Sequence, residues 1–254
     1  MDVDGFVRDG YVAIRGAFSA DTARACREMI WASLSEQGVR RDDPATWRPC
    51  VRIACPEGEP FAAAGTSPAL AAAYDELIGP GRWARRAGVG GVVPVRFPSE
   101  EYPDPGCGYH IEGSFDGPGG YWVNVRSRAR GLLALFLFSD VGPDDAPTRL
   151  ISGSHLYIPP ILRPCGEAGV LSNDVAGRWR HSLLCRPAAH ATGQAGDVYL
   201  CHPFVVHTAT WPHRGTTPRM MAQPAVYVRD GFVLDGTDPS PVARAITAGL
   251  AMHG

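Results

Sequence analysis

Leu132-Leu-Ala-Leu-Phe-Leu-Phe138 is an unbroken apolar run; Ser139-Asp-Val-Gly-Pro-Asp-Asp-Ala-Pro147 interrupts it, and Thr148-Arg-Leu-Ile151 resumes it. A short apolar run bounded by turn-forming residues reads as a buried strand, and the intervening Gly, Pro and Asp read as a loop. The same texture recurs from Gly88 onward, in Val92 to Phe97, Gly108 to Glu112, Trp122 to Arg126, Asp197 to Cys201 and Met220 to Val228. Short strands without regular helices between them predict antiparallel pairing rather than βαβ units. The expected fold is mainly β with flanking helices: a double-stranded β-helix, that is, a cupin-like jelly roll.

N-terminal to these strands the pattern is helical and mixed. Asp4 to Gly10 predicts a short helix and Tyr11 to Arg15 alternates like a strand. Ser19 is a plausible N-cap for a helix carrying Ala23, Met29, Ile30 and Leu34 on one face, and Pro68 to Leu77 predicts another helix. No linker interrupts the 254 residues, so one domain is expected over 1–254, with a helical part at 1–87 and a jelly-roll core at 88–230. Gly, Pro and acidic residues crowd Pro98 to Gly120, which predicts a mobile loop beside the site.

Composition narrows the chemistry. The net charge is −2, which gives no footprint for nucleic acid or an anionic membrane. All 24 basic residues are arginine, so lysine Schiff-base chemistry and a Walker A loop are excluded, and a buried carboxylate must be held by arginine or by neutral donors. The seven cysteines include no CxxC pair, which removes zinc-knuckle and thioredoxin-type motifs. The opening Met1-Asp-Val-Asp-Gly-Phe lacks an apolar leader, and no run is long enough to span a bilayer. A cytoplasmic protein with reduced thiols is expected.

The chemistry-bearing pattern lies in Gly108-Tyr-His-Ile-Glu-Gly113. Strand residues two apart share a face, so His110 and Glu112 are expected to enter one cavity with Ile111 turned away. A second histidine from another strand would complete the two-His, one-carboxylate face that leaves three positions open on iron(II). His202 and His207, in Gly196-Asp-Val-Tyr-Leu-Cys-His-Pro-Phe-Val-Val-His207, each precede an arginine by the same interval, Arg214 and Arg219. Arg214 sits in a turn-like Pro212-His-Arg-Gly215, whereas Arg219 opens an apolar strand, so His207 with Arg219 is preferred. His181, His190, His213 and His253 have no spacing partner and read as surface residues; His155 reads as structural, and Arg96 as solvated.

Four stretches in this order, DGYVAIRGAFS (9–19), GYHIEGSF, LFLFSDVGPDDAPTRLISGSH and GDVYLCHPFVVHTATWPHRGTTPR, resemble the phytanoyl-CoA dioxygenase family of iron(II)/2-oxoglutarate oxygenases, particularly its small actinobacterial-type members. The resemblance implies His110, Glu112 and His207 as iron(II) ligands and as the catalytic centre, with Arg219 gripping the distal carboxylate of 2-oxoglutarate. Asn124 and Trp122 are expected near that cosubstrate. The family more often has Asp at the carboxylate position; Glu112 reaches the same metal through one more methylene. A carboxylate there argues against halogenation, since halogenating relatives carry Gly or Ala. O2 is the implied co-reactant, a small-molecule substrate the implied partner, and hydroxylation with release of succinate and CO2 the simplest outcome, in a role suited to secondary metabolism. Two other readings share the fold: a cupin-type metal-binding barrel without cosubstrate, isomerase-like, and a catalytically silent ligand-binding protein. Arg219 discriminates against the former, because such a barrel has no need of a buried arginine facing its metal.

Overall fold

A computed structural model describes residues 1–102, 108–183 and 185–252. The expected loop from Pro98 to Gly120 therefore falls in part outside the described residues, as do His253 and the side chain of His181.

The N-terminal part comprises α1 (Val3–Asp9), β1 (Tyr11–Ile14), α2 (Ala20–Glu36), β2 (Cys50–Ala54), α3 (Glu59–Gly65), α4 (Pro68–Ile78) and β3 (Val92–Arg96). There follow β4 (Phe115–Gly117), β5 (Gly120–Val123), β6 (Arg130–Leu137), β7 (Thr148–Ile151), α5 (Ile158–Leu162), β8 (Val170–Leu171) and α6 (Ser172–Leu183). The chain ends through β9 (Ala188–His190), β10 (Val198–Cys201), β11 (His207–Ala209), β12 (Met221–Ala222), β13 (Ala225–Tyr227) and α7 (Pro241–Met252). Ser19 caps α2 as expected, its hydroxyl accepting the Thr22 amide at 3.0 Å. Among the described residues no helix is long and apolar enough to cross a membrane.

All ladder pairs are antiparallel. The largest sheet runs β1-β10-β6-β12, with β13 also on β6, and a three-stranded sheet runs β11-β7-β9. The apolar run of β6 is explained by burial on both faces. Leu132, Ala134, Phe136 and Phe138 join the core that contains Ile30, Leu34, Phe61 and Val242 of the helices. Leu133, Leu135 and Leu137 meet Leu150, Val205 and Met221 in a second cluster between the sheets. A strand covered on both sides loses its polar alternation, which is why this stretch is continuous in the sequence.

The Gly196-Asp197 turn before β10 is built by the aspartate. Its carboxylate accepts the Gly16 amide at 2.8 Å, the Gln194 amide at 3.0 Å and the Arg15 guanidinium at 2.7 Å. Gly196 sits at φ 106°, and a Cβ there would meet the Phe18 carbonyl oxygen at 2.4 Å.

Three sequence expectations change. Gly108 to Glu112 is not a ladder strand; only His110 pairs, in an isolated bridge. Met220 to Val228 breaks into β12 and β13 around Gln223-Pro224, because proline has no N–H for a ladder. Helices α3, α5, α6 and α7 and the short strands β2, β4, β8, β9 and β11 add to the expected elements. Those strands span two to five residues, too short for alternation to register.

Candidate metal centre

Two remote segments meet through their backbones before their side chains meet. His110 and His207 form an antiparallel bridge, each amide donating to the other's carbonyl at 3.0 Å. This pairing sets their imidazoles side by side, with ring centroids 4.3 Å apart. Glu112 follows two residues on, and its Oε1 lies 3.3 Å from His207 Nε2 and 3.9 Å from His110 Nε2. One ligand atom from each of the three residues lies within 4.8 Å of the others.

Each imidazole is oriented by a local carbonyl. His110 Nδ1 bonds the Gly108 oxygen at 2.8 Å, and His207 Nδ1 bonds the Val205 oxygen at 3.0 Å. An Nδ1–H donating to a carbonyl fixes the tautomer and leaves the Nε2 lone pair for a cation. Burial and the neighbouring His207 push His110 down to about 4, so it is neutral at pH 7, as a metal ligand must be.

Glu112 is held by a residue the sequence reading did not single out. Arg130, the first residue of β6, places Nη1 2.9 Å from Glu112 Oε2 and donates Nε to the Gly113 carbonyl at 2.7 Å. Burial alone would raise the carboxyl, but the neighbouring His207 and the Arg130 charge outweigh it and hold Glu112 at about 2. With Oε2 occupied, Oε1 faces the histidines. The absence of lysine already required an arginine or neutral donor for a buried carboxylate, but Arg126, Arg128 and Arg130 were equal candidates until β6 was placed.

These groups border a cavity of about 500 Å³ whose wall also includes Arg219. The side chain of His110 is 43% exposed and that of His207 only 6%, so the cavity opens on the His110 side. Arg219 is buried, donates to the Ala146 carbonyl and is bridged through its backbone to Arg96. Arg96 is itself buried and borders the cavity, which corrects its reading as a solvated arginine. Arg214 stays in its exposed turn, 3.2 Å from Glu100.

The competing histidine has another task. His202 is fully buried between Phe6, His155 and Phe204; its Nδ1 accepts the Phe204 amide at 3.1 Å and its Nε2 contacts the Val242 carbonyl of α7 at 3.3 Å. His155 is structural as expected, bonded to the Val7 carbonyl at 3.0 Å. His213 is buried beside Asp145 rather than on the surface, whereas His190 is exposed.

Asn124 and Trp122 do not line the cavity among its described residues. Asn124 donates to the Glu167 carbonyl at 3.1 Å and accepts the Arg128 amide at 3.2 Å, and Trp122 donates to the Pro118 carbonyl at 2.9 Å. Trp122 is thus tied to the turn between β4 and β5, and Asn124 to the 167 segment and to the turn that leads from β5 to β6.

No family model matches the chain, and no curated protein matches it. Solved structures do. SnoN, a non-haem α-ketoglutarate-dependent epimerase from nogalamycin biosynthesis, is 20% identical, with 89% of this chain covering 79% of that one at a TM-score of 0.59. SnoK, a non-haem α-ketoglutarate-dependent carbocyclase from the same biosynthesis, is 18% identical, with 92% covering 87% at 0.60. HygX from Streptomyces hygroscopicus, with nickel and 2-oxoglutarate bound, is 18% identical, with 88% covering 84% at 0.52. At these identities the likeness shows a shared fold.

Proposed function

We propose that this protein is an iron(II)- and 2-oxoglutarate-dependent oxygenase of the phytanoyl-CoA dioxygenase kind, acting on a small organic molecule, with hydroxylation as the simplest outcome. In this reading its antiparallel sheets form a double-stranded β-helix, the core at 88–230, with the helical part at 1–87 packed against it. The observation that carries it is the convergence of His110 Nε2, His207 Nε2 and Glu112 Oε1 beside a cavity that also receives Arg219.

The donor set fits the metal: two neutral imidazoles and one carboxylate suit a divalent non-haem iron and leave positions for other ligands. When bound, iron(II) with 2-oxoglutarate would supply the oxygen activation that no side chain can provide. The chain's own residues orient and insulate. Gly108 and Val205 carbonyls hold the imidazole tautomers, and Arg130 holds the carboxylate rotamer. Arg219 presents a planar guanidinium suited to the far carboxylate of a diacid. Ile111, buried beside the ligands, excludes water from one wall. A cavity of about 500 Å³ suits a diacid plus a small substrate rather than a macromolecule.

The test is anaerobic addition of iron(II) and then 2-oxoglutarate. A visible charge-transfer band that appears only with both supports the reading. Its absence from a folded, iron-binding protein refutes it.

A further inference from the structure

The cavity beside the ligands is far more basic than the chain as a whole. Five arginines border it (Arg52, Arg86, Arg96, Arg130 and Arg219), and Glu112 is the only carboxylate among the described residues of its wall. Guanidiniums thus outnumber carboxylates among the described residues of this wall, in a protein whose net charge is −2. A divalent metal and a doubly ionised 2-oxoglutarate cancel each other, so loading the centre as proposed above leaves that excess in place. Concentrated like charge in a concave site repels itself and is retained where an anion is bound.

Two of these arginines have no part in the proposed metal and cosubstrate chemistry. Arg52 lies on β2 and is exposed, and no hydrogen bond or ion pair ties it among the described residues. Arg86 is half-buried; its Nη1 donates to the Ala225 carbonyl at 2.6 Å, and its guanidinium sits 5.9 Å from the centre of the Tyr227 ring. No carboxylate pairs with it among the described residues, and burial together with the charge of Arg130 lowers its proton affinity, while Tyr74 raises it. Such a guanidinium, anchored by one nitrogen, is preorganised to bond an oxyanion through the others. Arg86 and Tyr227 also border a neighbouring cavity of about 870 Å³. Exposed Tyr121 and Tyr227 add aromatic surface to the wall shared with Arg52 and Arg86.

We propose that the substrate is an organic anion, carrying a carboxylate or a phosphate, whose charged group is held by Arg52 and Arg86 while its oxidised carbon faces His110, Glu112 and His207. The five arginines lie on separate segments from 52 to 219, so their grouping is not visible in the sequence. The inference rests on the oxygenase reading.

The experiment titrates protein loaded with nickel(II) and 2-oxoglutarate by calorimetry, using phenyl phosphate, phenylacetate and neutral benzyl alcohol as probes. Saturable binding of phenyl phosphate, of phenylacetate or of both is expected, with benzyl alcohol far weaker; the stronger of the two anions identifies the group recognised. Arg52→Gln/Arg86→Gln should weaken anion binding at least about tenfold while 2-oxoglutarate affinity is retained. If the double variant fails to fold, the exposed Arg52→Gln alone should weaken binding, and raising the salt concentration should weaken it in wild type. Equal binding of benzyl alcohol, absence of binding by both anions, or undiminished binding in the folded variants overturns the proposal. Failure of 2-oxoglutarate itself to bind the metal-loaded wild type overturns the oxygenase reading instead.

Discussion

His110 and His207, 97 residues apart by their numbers, exchange both backbone hydrogen bonds at 3.0 Å. The juxtaposition of the two imidazoles is thereby built into the main chain, and side-chain packing has only to orient them.

The consequence for metal binding is selective. His207→Ala should lower iron(II) affinity by at least about 100-fold with little effect on folding. His202→Ala should retain the metal and instead lose about 2–4 kcal/mol of stability, because it empties a buried site between α1 and α7. Metal titration and chemical denaturation of both variants check this. A His202→Ala protein that folds but no longer binds iron reverses the assignment.

Arg130→Gln should leave Glu112 without its charged partner at Oε2. Glu112 is held at about 2, below its ordinary 4.5, so its ionised form is present through neutral pH and is lost as pH falls through the lower value. Without Arg130 the acid limb of metal binding should move to higher pH, and affinity at pH 7 should fall about 10- to 100-fold. Iron or cobalt titrations between pH 4 and 8 measure it; an unmoved acid limb discards the role given to Arg130.

For the cosubstrate, Arg219→Ala should weaken 2-oxoglutarate binding by about 10- to 100-fold, the loss of one charge-assisted pair. Arg214→Ala, in an exposed turn, serves as the control and should change nothing. The charge-transfer band, titrated with 2-oxoglutarate in each protein, separates the two outcomes.

Acid sensitivity should come from the buried histidines behind the site. Burial holds His155 down at about 4, against its ordinary 6.5, with the Val7 carbonyl pulling weakly the other way. Between those values the unfolded chain binds a proton that the folded chain refuses, so stability falls as pH drops from about 6.5 to 4 and is unaffected above. A shift of this size corresponds to roughly 3 kcal/mol. Burial lowers His202 in the same direction, so His155→Gln should remove part of the acid loss. Melting temperatures at pH 7 and pH 5 test it; a variant as acid-sensitive as wild type excludes His155 as a source.

The convergent residues of the candidate metal centre were legible because they are marked by type and order: a histidine and a carboxylate two apart, then a histidine and an arginine beyond a β-rich interval. The run from Leu132 to Phe138 was legible because burial on both faces removes polar residues from the sequence itself. Other features left no such mark. Arg130 is one of three nearby arginines until β6 begins at it, and Arg52 and Arg86 look like ordinary surface charges until β2 and the 84–91 segment turn toward the cavity. Trp211, four residues beyond His207, is 49% exposed and packs edge-on against Tyr102.

By itself, then, the sequence determined which donor atoms exist, that arginine must do all the work of positive charge, and that the strands pair antiparallel around a two-sided core. Only the tertiary structure decided which arginine holds Glu112, which histidine converges with His110 and Glu112 and which is packed among Phe6, His155 and Phe204, and that five guanidiniums share one cavity. The physical reason is that periodicity and residue type are local properties of the chain, whereas convergence depends on long-range pairings such as His110 with His207 and Arg96 with Arg219.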